Sequence, residues 1–391
     1  MKRPALEVAD IFRSFGARFV EHSRARVSWP QHKVMRAIER CRTAALGRHR
    51  DRCTRCGEDL GFSFNSCRNR HCSKCQTAAR NRWVAARTRE LIPSNYFHIV
   101  FTLPHQLSQL MLQNKRLLYN LLFRCASATL LEVAANPKWL GAEIGFLCIL
   151  HTWGQTLTHH PHLHCVVPAG GFGSGRAAWV QPKSTRFFAP KAVISEVFRG
   201  KFYDGLKWLF RRRQLAFHGS LAWLAEPRAF ARFLRSIHRH SWIVDVRKPF
   251  GGPEHVLHYL ARYTHRVAIS NHRLLSVEDG KVTFRWKDYA HGGKKRKMTL
   301  AAEEFIRRFL LHVLPKGLVR IRYYGWMANR IRRECAAQCR ALLAADEPPT
   351  TKERSDRRCP RCGGAIETVE VIVPRELRRR PLCRRREPDS S

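Results

Sequence analysis

Acidic residues, long apolar segments and a nucleotide-binding loop are scarce or absent in this sequence of 391 residues. There are 30 Asp and Glu residues against 72 Lys and Arg, which gives a formal charge of +42 at pH 7. No apolar run approaches the roughly 18 residues of a membrane span, and the first fifteen residues lack the apolar core of a signal peptide. We therefore expect a cytoplasmic protein with no membrane partner. No GxxxxGK[ST] loop is present, so any strand separation driven by a nucleotide would need another protein.

The excess of positive charge predicts a polyanionic partner. Such a surface repels itself unless it is neutralised, and nucleic acid is the partner that best provides this. An anionic membrane surface is the weaker alternative. The chain also has 14 cysteines, several of them in CxxC pairs. In a reducing cytoplasm these pairs indicate zinc rather than disulfides.

Two CxxC pairs separated by fifteen residues are the clearest metal motif. Each pair presents two sulfurs, and this spacing is typical of one tetrahedral Zn²⁺ with four thiolate ligands. Four protein ligands leave no position for a substrate, so we expect this zinc to be structural. The predicted ligands are Cys53, Cys56, Cys72 and Cys75.

Other residues of the same segment leave alternatives open. Cys67, His71 and His49 are candidates to replace one ligand or to bind a second ion. The cations around the second pair predict contacts with DNA phosphates, although a solvated face has the same pattern. These cations are Arg68, Arg70 and Lys74. Near the carboxyl end, Cys359 and Cys362 form half a site, which the distant Cys383 would extend.

The histidines of HHPHLHCVV, at 159–167, form a second candidate metal site. His162 and His164 flank Leu163, so on a strand both imidazoles point to one face. A third ligand is expected from the neighbouring strand, where Gln155 is preferred and His151 is the alternative. Two imidazoles with an amide oxygen favour Mg²⁺ or Mn²⁺ over structural zinc. Ordinary core or surface histidines are the competing interpretation.

A pair of tyrosines supports the metal interpretation. Tyr259 and Tyr263 are four residues apart on a predicted helix, so their hydroxyls project from one face. Tyrosines at this spacing are commonly packing residues, but Arg262 and Arg266 beside them would attract phosphate. The surrounding chain alternates predicted helices with strands at 95–104, 144–155, 162–171 and 242–247. A hairpin is predicted with its turn at Asp279 and Gly280. The pattern therefore indicates a mixed α/β core.

Together these motifs resemble the two-tyrosine HUH transposases of bacterial insertion sequences, which move DNA by a rolling-circle-like route. The resemblance rests on SCRNRHCSKCQ, LHTWGQTLTHHPHLHCVVPAGG and YLARYTHRVAISNHRLL, with FRWKDY and CPRCGG further along the chain. It implies an α+β fold with a ferredoxin-like core, an N-terminal helical and zinc-ribbon domain and additional basic helices. It also implies that His162 and His164 are metal ligands and that Tyr259 and Tyr263 are nucleophiles.

The resemblance further implies a set of partners and a division of the chain. The expected partners are single-stranded DNA at element ends, target DNA and a host helicase, in the nucleoid of a bacterial cytoplasm. The predicted regions are a helical and zinc-binding DNA-recognition domain at 1–90, the catalytic domain with the tyrosine helix at 91–275, a hairpin and helical DNA-binding extension at 276–345, and a basic tail containing cysteine at 346–391. A rolling-circle replication initiator or relaxase, and a non-catalytic zinc-ribbon regulator, are the alternative functions.

Overall fold

The computed structural model describes residues 4–24, 27–88, 90–184, 187, 189–239, 242–250, 268–344 and 358–374. The α-helices in these ranges are α1 (Val8–His22), α2 (Trp29–Glu39), α3 (Cys75–Thr88), α4 (Ser108–Gln113), α5 (Lys115–Ala135), α6 (Lys191–Arg211), α7 (Pro227–Arg239), α8 (Ala302–Leu311) and α9 (Arg332–Leu342). The strands are β1 (Arg48–Cys53), β2 (Asp59–Phe64), β3 (Tyr96–Thr102), β4 (Gly145–Trp153), β5 (His159–Pro168), β6 (Gly171–Phe172), β7 (Trp179–Val180), β8 (Val244–Phe250), β9 (Leu274–Glu278), β10 (Lys281–Asp288), β11 (Lys294–Ala301), β12 (Ile321–Gly325) and β13 (Ile366–Ile372). The predicted mixed α/β core is confirmed.

The largest sheet has five antiparallel strands in the order β12-β4-β5-β3-β8. Four of these strands coincide with the strands predicted from aromatic and β-branched residues. In chain order they form a strand-helix-strand-strand-helix-strand unit, with α4 and α5 after β3 and with α6 and α7 before β8. The fifth strand, β12, comes from the region predicted as a separate extension.

Alternation along the strands gives this sheet two different faces. One face carries Phe101, Leu163 and Cys165, which are fully buried in the main core together with α5 and α6. The other face carries His151, His162 and His164. Helix α5 is long and apolar enough to cross a bilayer by composition, but about two thirds of that apolar stretch is buried within the protein.

A second core joins the N-terminal helices to the hairpin region. Helices α1 and α2 pack with α8 on the three-stranded sheet β11-β10-β9. The rings of Phe12 and Phe309 meet edge to face, with 5.2 Å between their centroids. The predicted hairpin is confirmed, because Asp279 and Gly280 connect β9 to β10 with φ values of 47° and 70°. Positive φ at both positions is typical of a two-residue turn of type I′.

A third sheet joins the two ends of the chain. Its strand order is β13-β1-β2, and β13 pairs with β1 in antiparallel register from Cys53 opposite Ile366 to Arg48 opposite Ile372. The sequence analysis predicted no strand in the basic tail at 346–391, whereas residues 366–372 of that tail form β13. Period-2 alternation over seven residues is a weak signal in a charged tail, and the partner strand is some 300 residues away along the chain.

Candidate metal centre

Three histidines meet on the face of the central sheet that lies opposite α5 and α6. His151 of β4 lies directly opposite His162 of β5, and His164 follows two residues later on the same face. Each residue offers one ring nitrogen, and these nitrogens all lie within 4.8 Å of one another. His151 and His164 are buried, whereas His162 is half-buried and connects the cluster to the surface. Three convergent imidazoles are a donor set that can bind one divalent ion.

Hydrogen bonding and burial keep these rings in the form that binds metal. The Nδ1–H of His162 donates to the carbonyl oxygen of His160 at 2.7 Å, which leaves Nε2 as the acceptor nitrogen. Removal of the ring from water lowers the pKa of His162 to about 4. Burial also holds the pKa of His164 well below its ordinary value. Both imidazoles are therefore neutral at pH 7.

A fourth histidine, His98 of β3, contacts the ring of His164. Its Nε2 lies 2.7 Å from Nδ1 of His164, and the two rings stack with 5.0 Å between their centroids. His98 is fully buried, and burial lowers its pKa to about 3. If Nε2 of His164 binds a metal, its Nδ1 carries the proton and donates to His98. Such a contact fixes the orientation of a ligand ring.

Gln155, the preferred third ligand, lies in the turn that follows β4. The register shifts after His151 and β4 ends at Trp153, so the alternation that placed Gln155 with the pair is lost. The side-chain oxygen of Gln155 accepts from the backbone N–H of Lys287 at 3.4 Å, and its main-chain oxygen accepts from Arg273. The alternative ligand, His151, takes its place in the cluster.

The predicted nucleophiles, Tyr259 and Tyr263, lie outside the described residues, as do Arg262 and Arg266. The residues on either side of that range are described. On its N-terminal side β8 pairs with β3, and Arg247 lies opposite His98. On its C-terminal side Ala268 and Ile269 are buried in the second core.

The four cysteines predicted to share one zinc are divided between two clusters. Cys72 and Cys75 meet Cys41 and Cys67, whereas Cys53 and Cys56 meet Cys359 and Cys362. The single four-thiolate site predicted from spacing is therefore wrong as a grouping. Spacing reports only neighbours along the chain. Cys75 lies 8 residues after Cys67 and 34 after Cys41, whereas Cys56 meets Cys359, 303 residues away.

The first cluster, which we call the helix cluster, consists of Cys41, Cys67, Cys72 and Cys75. The Sγ atom of Cys75 lies 3.6 Å from Sγ of Cys41 and 3.6 Å from Sγ of Cys67. A hydrogen bond with Cys67 lowers the pKa of Cys41 to about 7. Thiols this close together, of which some favour the thiolate, are suited to a structural zinc.

The histidine candidates of this segment have other partners. Nε2 of His71 accepts from the backbone N–H of Leu314 at 3.2 Å, and its Nδ1 faces Asn69 at 3.1 Å. Nδ1 of His49 lies 2.7 Å from the side-chain oxygen of Asn65. Among the alternatives left open by the sequence, Cys67 is therefore the cluster member.

Two of the cations predicted to bind DNA are used inside the protein. The guanidinium of Arg70 donates to the carbonyl oxygens of Leu318 at 2.7 Å and Pro315 at 3.0 Å. Lys74 forms a nearly buried ion pair with Glu7. Arg68 is exposed and lines a groove on the β13-β1-β2 sheet. Of these three cations, Arg68 is the one that is exposed.

Cys41 and His98 are the residues at the candidate sites that the sequence analysis did not identify. Cys41 is a single cysteine just after α2, with no CxxC partner to indicate a metal. His98 lies in YFHIVFT, where alternation places it on the face opposite Phe97 and Ile99. That alternation was readable, but only the register between β3 and β5 shows that the face belongs to the metal centre.

Comparison with known proteins shows the family of this chain. Residues 145–335 match the family model described as "Putative transposase", and residues 11–103 match the model described as "Transposase zinc-binding domain". A protein of Sinorhizobium fredii named "Putative transposase y4qJ" is 50% identical over 389 residues, which covers 95% of this chain and 97% of that protein. The "Transposase for insertion sequence element IS801" of Pseudomonas savastanoi is 28% identical over 300 residues, which covers 74% of this chain and 68% of that protein. No solved structure matches.

Proposed function

Because this chain belongs to the two-tyrosine HUH family of insertion-sequence transposases, we propose that it nicks and rejoins single-stranded element ends through a 5′-phosphotyrosine intermediate. The observation that carries the proposal is the cluster of His151, His162 and His164 on one face of the central sheet. Neutral imidazoles there would hold a divalent ion beside the scissile phosphate. The names of the two relatives favour transposition over replication initiation or conjugation.

The strand order supports a ferredoxin-like catalytic core. The four strands of the strand-helix-strand-strand-helix-strand unit are β3, β4, β5 and β8, numbered first to fourth in chain order. Across the sheet they lie in the order fourth, first, third, second, and all neighbours are antiparallel. This is the arrangement expected for that fold. The helices α5 and α6 cover one face. On the opposite face α9 covers Leu147, Ile149 and Val166, and the half-buried His162 is the histidine of the cluster that we propose meets DNA. Strand β12 extends the sheet beyond β4.

The donor set narrows the choice of ion. With His151 in place of Gln155, three ring nitrogens form the protein's share of the coordination. Imidazole suits first-row transition metals better than Mg²⁺, which prefers oxygen. We therefore propose Mn²⁺ as the better of the two predicted ions. When bound, such an ion supplies a Lewis acid that withdraws charge from the phosphate and orients it for in-line attack.

The covalent step belongs to the tyrosines. The phenolic oxygen of Tyr259 or Tyr263 attacks the phosphorus, the bond to the 3′-oxygen breaks, and the 3′-hydroxyl leaves after taking up a proton. One phosphodiester replaces another of similar energy, so no nucleotide is hydrolysed. The second tyrosine then permits a further cleavage while the first still holds its DNA. A phenol with an ordinary pKa near 10 must lose its proton during attack.

The protein's own residues prepare this site in two ways. His98 orients His164 through the 2.7 Å contact between their rings. The carbonyl of His160 fixes the tautomer of His162. These contacts hold the acceptor nitrogens in place before DNA arrives, which reduces the reorganisation needed during the reaction.

The N-terminal region is proposed to recognise DNA. The matched zinc-binding model covers 11–103 and includes all four cysteines of the helix cluster, so we assign a structural Zn²⁺ to Cys41, Cys67, Cys72 and Cys75. Arg68 follows Cys67 of this cluster in the chain and lines the groove on the β13-β1-β2 sheet. Element ends and target DNA are the proposed partners, and a host helicase would supply the single strand.

The test is covalent capture of DNA. Purified protein is incubated with Mn²⁺ and single-stranded oligonucleotides from the ends of its own element, and adducts are separated on a denaturing gel. We expect an adduct that disappears in Tyr259→Phe with Tyr263→Phe and in His162→Ala with His164→Ala. Both variants should keep the zinc content of the parent protein. An adduct that persists in the double tyrosine variant would exclude these nucleophiles.

A further inference from the structure

We propose that the second cysteine cluster, Cys53, Cys56, Cys359 and Cys362, binds its own structural Zn²⁺ and fastens the C-terminal segment to the N-terminal domain. We call it the terminal cluster. It is separate from the helix cluster, and two of its ligands lie beyond the residues that the family models match. The cysteine pairs are 303 residues apart along the chain. The inference does not depend on the proposed catalysis.

The spacing of the sulfurs fits a tetrahedral zinc. With Zn–S bonds of about 2.3 Å, tetrahedral geometry places the sulfurs about 3.8 Å apart. Sγ of Cys53 lies 3.5 Å from Sγ of Cys362, and Sγ of Cys56 lies 3.7 Å from Sγ of Cys359. All four sulfurs lie within 4.8 Å of one another. A disulfide would need about 2.05 Å, so the distances fit a shared ion.

The two halves of the site have the same local structure. CTRCG at 53–57 and CPRCG at 359–363 each form a tight turn closed by a glycine. In the first turn the N–H of Gly57 donates to the carbonyl of Cys53 at 3.1 Å. In the second the N–H of Gly363 donates to the carbonyl of Cys359 at 2.9 Å. Both glycines have positive φ, 71° and 69°, which side-chain-bearing residues rarely adopt.

Backbone N–H groups also point at the sulfurs. The N–H of Arg55 donates to Sγ of Cys53 at 3.4 Å, and the N–H of Gly364 donates to Sγ of Cys362 at 3.4 Å. Donors of this kind stabilise the negative charge of thiolate ligands. The turns are thus two matching knuckles that face each other across one ion.

Gly364 shows how closely the halves approach. A Cβ atom at this position would lie 2.7 Å from Cβ of Arg55, 3.0 Å from Sγ of Cys53 and 3.2 Å from Sγ of Cys362. Only glycine fits between the knuckles. Beyond them β13 continues along β1, and Thr368 donates to Asp51 at 2.8 Å.

The position of β13 beside β1 also determines the shape of a groove on the β13-β1-β2 sheet. The groove of about 1030 Å³ that contains Arg68 has Phe62 and Phe64 of β2 on one side, and Thr368 and Val371 of β13 on the other. Among the residues that the structure describes, strand pairing with β1 and side-chain contacts such as Thr368 with Asp51 are what would hold β13 without the terminal cluster. The second zinc therefore preserves a complete groove.

Zinc content is the direct test. Full-length protein, washed with a weak chelator to remove ions from the histidine site, is analysed by native mass spectrometry. We expect about two Zn²⁺ per chain, and about one in Cys359→Ser with Cys362→Ser. The matched control is Cys335→Ser with Cys339→Ser, which removes two buried thiols of α9 outside either cluster and should leave about two. An unchanged zinc content in the Cys359 and Cys362 variant would overturn the proposal.

A second measurement requires no loss of a ligand. A protease site is placed between residues 346 and 357, and the cut protein is passed over a gel-filtration column. We expect the C-terminal fragment to remain bound, and to separate when a strong chelator removes zinc. In Gly364→Ala we expect the fragment to separate at a lower chelator concentration. A fragment that separates before chelation, or stays bound after complete zinc removal, would contradict the proposed site even if the serine variants do not fold.

Discussion

The identity of the third ligand in the histidine cluster leads to our sharpest prediction. Replacement of His151 by Ala removes one of three ring nitrogens that lie within 4.8 Å of one another. Replacement of Gln155 by Ala removes a side chain whose amide oxygen contacts the backbone of Lys287. The two variants therefore form a matched pair from the same strand end. Only the first should weaken metal binding.

The magnitude follows from the number of protein donors. Changing a residue that merely supports a metal ligand typically weakens metal affinity by about 10- to 100-fold. Loss of a direct donor should cost more, so we expect Mn²⁺ to bind His151→Ala at least about 100-fold more weakly, which corresponds to about 2.7 kcal/mol. For Gln155→Ala we expect a change below about threefold.

The assay is a Mn²⁺ titration followed by electron paramagnetic resonance, because free and bound Mn²⁺ have different signals. DNA-adduct formation is measured over the same range of Mn²⁺ and should recover partly at high concentration in His151→Ala. Zinc content and circular dichroism serve as controls for folding, since His151 is buried. If Gln155→Ala loses affinity and His151→Ala keeps it, the assignment of the cluster is wrong.

Four further predictions concern other parts of the structure. His98→Ala should weaken Mn²⁺ binding by about 10- to 100-fold, and His98→Gln, which can still accept from His164, should restore part of it in the same titration. Gly145→Ala should lower thermal stability and decrease the yield of folded protein, because its Cβ would lie 2.5 Å from the ring of Trp326. Burial lowers the pKa of His71 to about 3, so at this residue the unfolded state binds more protons between about pH 6.5 and 3. His71 alone should therefore lower the free energy of unfolding by up to about 1.4 kcal/mol for each unit of falling pH in that window. Denaturant melts of His71→Gln should show a smaller dependence of that free energy on pH between pH 5 and 7. Arg68→Ala should weaken binding of single-stranded DNA and reduce its salt dependence in fluorescence anisotropy, whereas Arg70→Ala should chiefly reduce stability because it loses two contacts to backbone carbonyls.

The extent of the positive charge also bears on assembly with DNA. With a formal charge of +42 the protein is expected to bind nucleic acid of any base sequence strongly at low salt. Recognition of particular ends therefore needs defined surfaces rather than charge alone. The groove lined by Arg68, Phe62 and Phe64 combines a cation with exposed aromatic rings, which suits single-stranded bases.

Local patterns were enough to predict much of the central sheet. The strand carrying His162 and His164 was recognised because alternation about Leu163 sets side-chain direction within three residues. The hairpin at Asp279 and Gly280 was recognised because its turn needs residues that tolerate positive φ. Strand β11 was not predicted, since KKRKMTLA begins with four basic residues and is mostly exposed, so that only its pairing with β10 makes it a strand.

Metal clusters built from distant segments were decided by tertiary structure. The two CxxC pairs at 53–56 and 72–75 have the spacing of one zinc site, yet each pair turns to a different partner. For the first pair that partner is Cys359 and Cys362, and for the second it is Cys41 and Cys67. Spacing limits which ligands can meet through a short loop, but it carries no information about strands that pair from opposite ends of the chain.

The sequence by itself determined the residue types, the alternation that directs two imidazoles to one face, and the charge that requires an anionic partner. The tertiary structure decided which third imidazole completes the cluster, because the register of β4 against β5 sets His151 opposite His162. It also decided that Arg70 and Lys74 form contacts within the protein, with a backbone carbonyl and with Glu7, while Arg68 lines the groove. Residue chemistry is local, whereas the distance between ligand atoms depends on the packing of whole strands and helices.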